Sequence, residues 1–209
     1  MAVRRRNPRI ERTLKRTSGL HKVKQTFLIV CEGEVTEPEY FNSFRLTSAT
    51  VKAVGEGMNT ISLVKEAIAI RDLEKRRNRN YDQCWVVFDK DDFADSDFNA
   101  AIQMAQANGF NVAYSNQAFE YWFLLHFNLY QGAIHRDRYA DMLTRLLGFK
   151  YGKMKGDSAR VFNAIYSRRQ TAIENAKKVM SMFDRSNPAK EESSTTVYEL
   201  VEELLHYTE

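Results

Sequence analysis

Two cysteines, four histidines and no long apolar run narrow what this 209-residue chain can be. Cys31 and Cys84 sit inside apolar stretches with no Cys or His neighbour at metal-ligand spacing, so both read as small buried residues and not as zinc or redox groups. The longest apolar stretches, 27–31 and 121–127, fall far short of the roughly 20 residues a membrane helix needs. The N-terminus has arginines but no apolar signal core, and the expected setting is soluble and cytoplasmic, with no membrane partner. There is no GxxxxGK[ST] loop, no internal repeat and no low-complexity linker, and no tyrosine stands out as a covalent nucleophile.

What is present is enough apolar material for one sizeable core, at 44% hydrophobic and 12% aromatic residues, together with an uneven charge distribution. Residues 1–24 hold nine Lys or Arg against one Glu, a balance of +8, so a chain of total charge +4 has −4 left for its remainder. The predicted organisation is therefore a flexible basic tail, 1–24, ahead of a folded body, 25–209. Clustered Arg4, Arg5, Arg6, Arg9, Arg12, Lys15 and Arg16 suit phosphates, and hence nucleic acid; a merely solubilising tail is the alternative.

Beyond the tail, short apolar runs alternate with helical patterns. Strands are predicted at 27–31, 50–54, 83–88 and 110–115, with helices opening at Pro38, at Asn59 or Thr60, and at Asp95 or Ser96, the third closing at Gly109. Strands separated by helices are crossovers and not hairpins, which makes this an α/β chain with a mostly parallel sheet of about four strands. From Phe119 onward only helical patterns recur, between loops at 150–157 and 184–194. The last helix has an apolar stripe of Val197, Leu200, Val201, Leu204 and Leu205, expected to face its own sheet, with a partner's docking face as the alternative.

The acids fall where such a sheet would gather them. FLIVC runs into Glu32, Glu34 and Glu37; WVVF ends in Asp89, Asp91 and Asp92; Glu120 follows the fourth strand. All carboxyl ends of a parallel sheet point to one rim, where ligands bind. Carboxylates that converge there repel one another unless a cation sits between them. Oxygen ligands without Cys or His suit Mg2+, or Mn2+. Gly33 would let the chain turn sharply and a phosphate approach closely. The same acids have plainer readings: Glu34, Glu37 and Glu39 favour a helix N-terminus, Asp91 and Asp92 suit a turn, and Asp95 and Asp97 suit a cap. Glu39 is assigned only the helix-end role. His126 and the aromatic cluster Phe119, Tyr121, Trp122 and Phe123 read as core. Lys153 and Lys155, in a Gly-bounded loop, could meet a phosphate or stay solvated.

FLIVCEGEVTEPEYF, VVFDKDDF, SNQAFEYWFLLHF and SNPAKEESSTTVYELVEEL, in that order, resemble the RloB-like family, which is similar to Toprim domains. The resemblance runs from about Thr26 to the C-terminus. It implies a Toprim-like fold and Mg2+-dependent cleavage of RNA or DNA in bacterial phage defence, beside a separately encoded ATPase. Toprim domains use a Glu after the first strand and an Asp-x-Asp after the third. The matching positions are Glu32 and Asp89 with Asp91, and Glu37 matches a second acidic position of the OLD-like nuclease branch. Glu34, Asp92, Glu120 and Lys153 are additional candidates. Gln117 and Ala118 depart from the expected pattern and predict a looser rim loop before Glu120. Two other classes compete: a non-catalytic nucleic-acid-binding or assembly subunit, and a phosphotransferase using Asp89 as nucleophile.

Overall fold

In the computed structural model, which describes residues 25–53 and 60–208, β1 (Phe27–Cys31) has no accessible side chain on either face. Five apolar residues in a row, not an alternation, are what a strand buried on both faces needs. β1 lies inside the sheet, paired in parallel with β2 (Ala49–Ala53) and β3 (Gln83–Asp89). β4 (Asn111–Asn116) extends the sheet in parallel from β3. A fifth strand, absent from the sequence-based expectation, closes the edge: β5 (Ser194–Thr195) runs antiparallel to β4, giving the order β2-β1-β3-β4-β5. The region 184–194 is thus not only loop: it also contains a 3-10 turn at Pro188–Lys190.

The connections are α1 (Thr36–Asn42), α2 (Thr60–Arg76) and α3 (Asp95–Ala107). Right-handed crossovers in this strand order put α1 on one face and α2 with α3 on the other. α3 packs there through Phe98, whose ring meets Phe88 and Tyr114 edge-on, each at 5.5 Å. Its start differs from expectation. Ala94 occupies the cap position without a side-chain bond, while Asp95 is the first helical residue and pairs with Lys90 at 3.1 Å. Gly109 has φ +76°, as a residue just past a helix end does. The tail 1–24 with its arginines, Val54 at the end of the second expected strand, and the candidate cap Asn59 lie outside the described residues.

The C-terminal half is helical: α4 (Glu120–Leu125), α5 (Tyr139–Leu147), α6 (Asp157–Ile165), α7 (Arg169–Met180) and α8 (Val197–Leu205). The segment near 158–183 is two helices joined by a 3-10 turn at Tyr166–Arg168. Tyr40 of α1 is the hub that joins this half to the sheet. Its ring meets Phe119, Phe123 and Phe162 at 5.4–5.5 Å, and its hydroxyl accepts from Trp122 Nε1 at 2.8 Å. The aromatic cluster is therefore core. So is His126, whose imidazole is pushed down to about 4 by burial and lies 3.0 Å from Trp122 O. α8 packs on β4 with Val197, Leu200, Val201 and Leu204 buried, which rules them out as an exposed docking face; Leu205 is half-buried. No helix among the described residues is long and apolar enough to cross a membrane.

Candidate active site

β1 and β3 are neighbours whose onward connections run in opposite directions, to β2 and to β4, so a crevice opens at their carboxyl ends. The ladder register carries Glu32 and Asp89 to this point. Glu32 N donates to Val87 O at 3.0 Å, and Asp89 N donates to Glu32 Oε2 at 3.2 Å. Around them lies a cleft of about 610 Å³ whose walls include Glu34, Glu37, Asp91, Glu120, Arg136, Tyr151 and Lys153. Three separate strand ends, the first turn of α1 and two loops of the helical half thus meet at one rim.

Asp89 is the most constrained of the acids. Its Oδ2 accepts the backbone N–H of Phe119 at 2.9 Å, whereas Oδ1 is buried with no hydrogen-bond partner. Burial, then the charges of Glu37, Glu120 and Asp91, hold its carboxyl well above the usual range. Burial likewise pushes Glu32 up to about 7, aided by Asp91 and Glu37 and opposed by the Asp89 N–H. Glu37, only 6% exposed, is pushed up to about 7 by burial and by Glu120 and Asp91, against the pull of Lys153. Gly33 serves Glu37: a Cβ at position 33 would overlap the Glu37 carboxylate, so this glycine makes room for the acid.

Two cations answer part of this negative charge. Lys153 Nζ lies 2.7 Å from Glu120 Oε1, and the Tyr151 hydroxyl donates to the same oxygen at 2.7 Å. Burial opposes the Lys153 charge, but Glu120, Asp89 and Glu37 together raise its ammonium above the ordinary value. Arg136 forks across two acids, one terminal nitrogen on Asp91 and the other on Asp92. Asp91 has φ +45° and Gln117 φ +99°, and they are joined by a bond from Asp91 N to Gln117 O at 3.3 Å. Gln117 Oε1 also accepts from Arg136 N at 3.3 Å. The loop that departs from the family pattern is thus tied down at both ends of Gln117, contrary to the looser rim expected, and holds backbone of a kind that persists at functional sites when its surroundings over-determine it.

Glu32, Glu37, Asp89, Asp91 and Glu120 are therefore brought together as expected. Asp92, 86% exposed, stands outside the cleft, whereas Glu34 lines its margin as an exposed residue. Sequence reasoning missed Arg136 and Tyr151. Arg136 reads as part of a solvated helix start, and only its contact across 45 positions reveals a role; Tyr151 has a faint signal in its nearness to Lys153.

Among the described residues no three Asp, Glu, His or Cys side chains close on one point as a finished coordination group. The donor set nonetheless fits a hard divalent cation. It is all oxygen, it is crowded with like charge, and Asp89 Oδ1 is a buried carboxylate oxygen facing no donor. A family model described as RloB-like protein matches residues 27–204. Neither curated proteins nor solved structures gave a match.

Proposed function

The chain belongs to the RloB-like family, and from that premise we propose that it is a metal-dependent nuclease cleaving RNA or DNA phosphodiesters, acting in the cytoplasm in bacterial phage defence. The observation that carries this reading is the unpartnered Asp89 Oδ1, buried at the switch point of the sheet among acids that raise its pKa. A structural role would be better served by asparagine or by a paired carboxylate, because an orphaned buried acceptor costs about 1–3 kcal/mol.

Asp89, Glu32 and Asp91 would hold the Mg2+ or Mn2+, with Glu37 beside them. The cation, when bound, supplies charge stabilisation at a phosphoryl oxygen and lowers the pKa of bound water. Glu32 is the group suited to take a proton from the attacking water. Its Oε2 already accepts the Asp89 N–H, which orients the carboxylate at the rim where that water would stand. Lys153, whose charge is favoured by Glu120, sits where a scissile phosphate could be neutralised. The basic tail would hold the polyanion, and a separate ATPase would govern activity, since the chain has no phosphate-binding GxxxxGK[ST] loop of its own.

The test is cleavage of mixed cellular RNA and of plasmid DNA with Mg2+ or Mn2+, with and without a neighbouring ATPase. Glu32→Gln and Asp89→Asn should each abolish it with folding intact; wild-type cleavage by either sinks the assignment. One observation favours a second reading, a non-catalytic assembly subunit: Arg136 and Lys153 already neutralise part of the acid cluster. That reading requires that no substrate be cut under any of these conditions, whether or not the acids hold a structural ion.

A further inference from the structure

The two cleft cations are not equivalent. Lys153 is matched to one nearly buried acid, Glu120, in company with Tyr151. Arg136 instead bridges an acid that lines the cleft, Asp91, and one that stands outside it in solvent, Asp92. We propose that Arg136 is the cleft's substrate-phosphate anchor, parked on Asp91 and Asp92 and released to the substrate when a divalent cation takes Asp91. This rests on the metal-nuclease reading above.

Several features of the chain converge on such an exchange. The bond to Asp92 is exposed and screened, so it holds Arg136 weakly. Asp91 is only partly exposed and is among the residues suited to hold the cation, and a divalent ion competes for it with twice the charge of a guanidinium. The backbone around Arg136 would not follow the side chain. Arg136 N is bonded to Gln117 Oε1, Ile134 N donates to Ser193 Oγ at 3.1 Å, and Tyr139 is buried. Release would therefore swing a side chain over the cleft from a fixed base. What swings is a planar fork that stays charged at any physiological pH and matches phosphate oxygens two at a time. A cleft walled by Glu34, Glu37 and Glu120 repels a polyanion, and a freed guanidinium offsets that repulsion once the cation is in place.

The experiment compares wild type, Arg136→Gln, Arg136→Lys and Asp89→Asn in two titrations: Mn2+ binding followed by electron paramagnetic resonance, and binding of a non-cleavable phosphorothioate oligonucleotide with Ca2+ present. Arg136→Gln should bind Mn2+ about tenfold more tightly, because its two charge-assisted contacts no longer compete, and should bind the oligonucleotide about tenfold more weakly. Arg136→Lys, which keeps the charge and loses the fork, should fall between on both. Unchanged or weaker Mn2+ binding by Arg136→Gln overturns the exchange, and unchanged oligonucleotide binding overturns the anchor. Mn2+ binding that Asp89→Asn abolishes while Arg136 variants leave it untouched defeats this proposal alone. No Mn2+ binding by wild type or by Arg136→Gln defeats the metal reading and this proposal with it.

Discussion

Both carboxylate oxygens of Glu39 accept the backbone N–H of Gly156, at 2.7 and 2.9 Å, across 117 positions of sequence. Glu39 is thus more than a favourable charge in the first turn of α1: it pins the far end of the loop that presents Lys153 to the cleft. At its other end Tyr151 is anchored on Glu120, and Asp157 Oδ2 accepts from Met154 N at 2.9 Å. Glu39→Ala should cost about 1 kcal/mol in urea unfolding and reduce cleavage through a looser Lys153. Glu39→Gln keeps one acceptor and should lose less. Amide exchange at Gly156 is the direct check: unchanged protection in Glu39→Ala would show that the contact holds nothing.

The acid cluster makes the site a source of instability that pH and metal should both expose. Glu32 and Glu37 have their carboxyls pushed up to about 7, against about 4.5 for the ordinary group. Between those values the folded protein keeps protons that the unfolded chain has released. This contribution to stability is full below about pH 4.5 and is lost as pH rises towards about 7. Without metal, thermal midpoints should therefore fall across that window. Added Mg2+ should restore stability, and more so at about pH 8 than at about pH 5, because it binds the deprotonated acids. Asp89→Asn at neutral pH relieves the crowding of acids around the buried Asp89 Oδ1 and should raise the midpoint by about 2–4 °C per kcal/mol relieved, while ending cleavage. A lowered midpoint in Asp89→Asn, or Mg2+ stabilisation independent of pH, would contradict the repulsion.

How much of this was legible in the sequence follows from what kind of interaction built each part. β1 and β3 could be read because strands buried on both faces are unbroken apolar runs, β4 from its shorter run Val112–Tyr114, and their ends carried Glu32, Asp89 and Glu120 to one rim by topology alone. β5 could not. Its two residues are polar, and the segment is held by side-chain bonds, Thr195 Oγ1 to Tyr114 O at 3.0 Å and Thr196 Oγ1 to Val112 O at 3.1 Å. Neither leaves a periodic trace. Asp95 looked like a cap because Asp before a helix usually is one; here Lys90 claims it. Arg136, Tyr151 and the Glu39 anchor join positions far apart in the chain, which no local pattern encodes.

Core packing of α8 makes a sharp distinction between two adjacent leucines. Leu204 is fully buried, whereas Leu205 is partly exposed. Leu204→Ala should cost about 2–5 kcal/mol, and Leu204→Glu should prevent folding, since an unpaired charge would be buried. Leu205→Glu should fold. If Leu205→Glu folds yet no longer associates with an ATPase partner, the exposed margin of α8 is an interface; if it neither disturbs folding nor association, docking lies elsewhere. A folded Leu204→Glu protein with a normal midpoint would contradict the packing described.

The importance of the basic tail follows from the charge of the rest of the chain. Residues 25–209 carry a net −4, and the cleft itself is lined by acids, so the folded body offers a polyanion little long-range attraction. On the proposed reading residues 1–24, at +8, would supply it. Deleting them should lower nucleic-acid affinity and flatten its dependence on salt. Each phosphate that is no longer neutralised changes the slope of log affinity against log salt by about 0.9 on duplex DNA or about 0.7 on a single strand, so removing even a few of Arg4, Arg5, Arg6, Arg9, Arg12, Lys15 and Arg16 is measurable. Mn2+ binding should be unaffected, because the acids proposed to hold it lie on the folded body. The comparison of duplex with single-stranded substrates also has a use beyond the tail: the substrate whose slope falls most on deletion is the one the tail engages. An unchanged slope on every substrate would return residues 1–24 to a solubilising role and leave Arg136 and Lys153 as the cations that meet the phosphates.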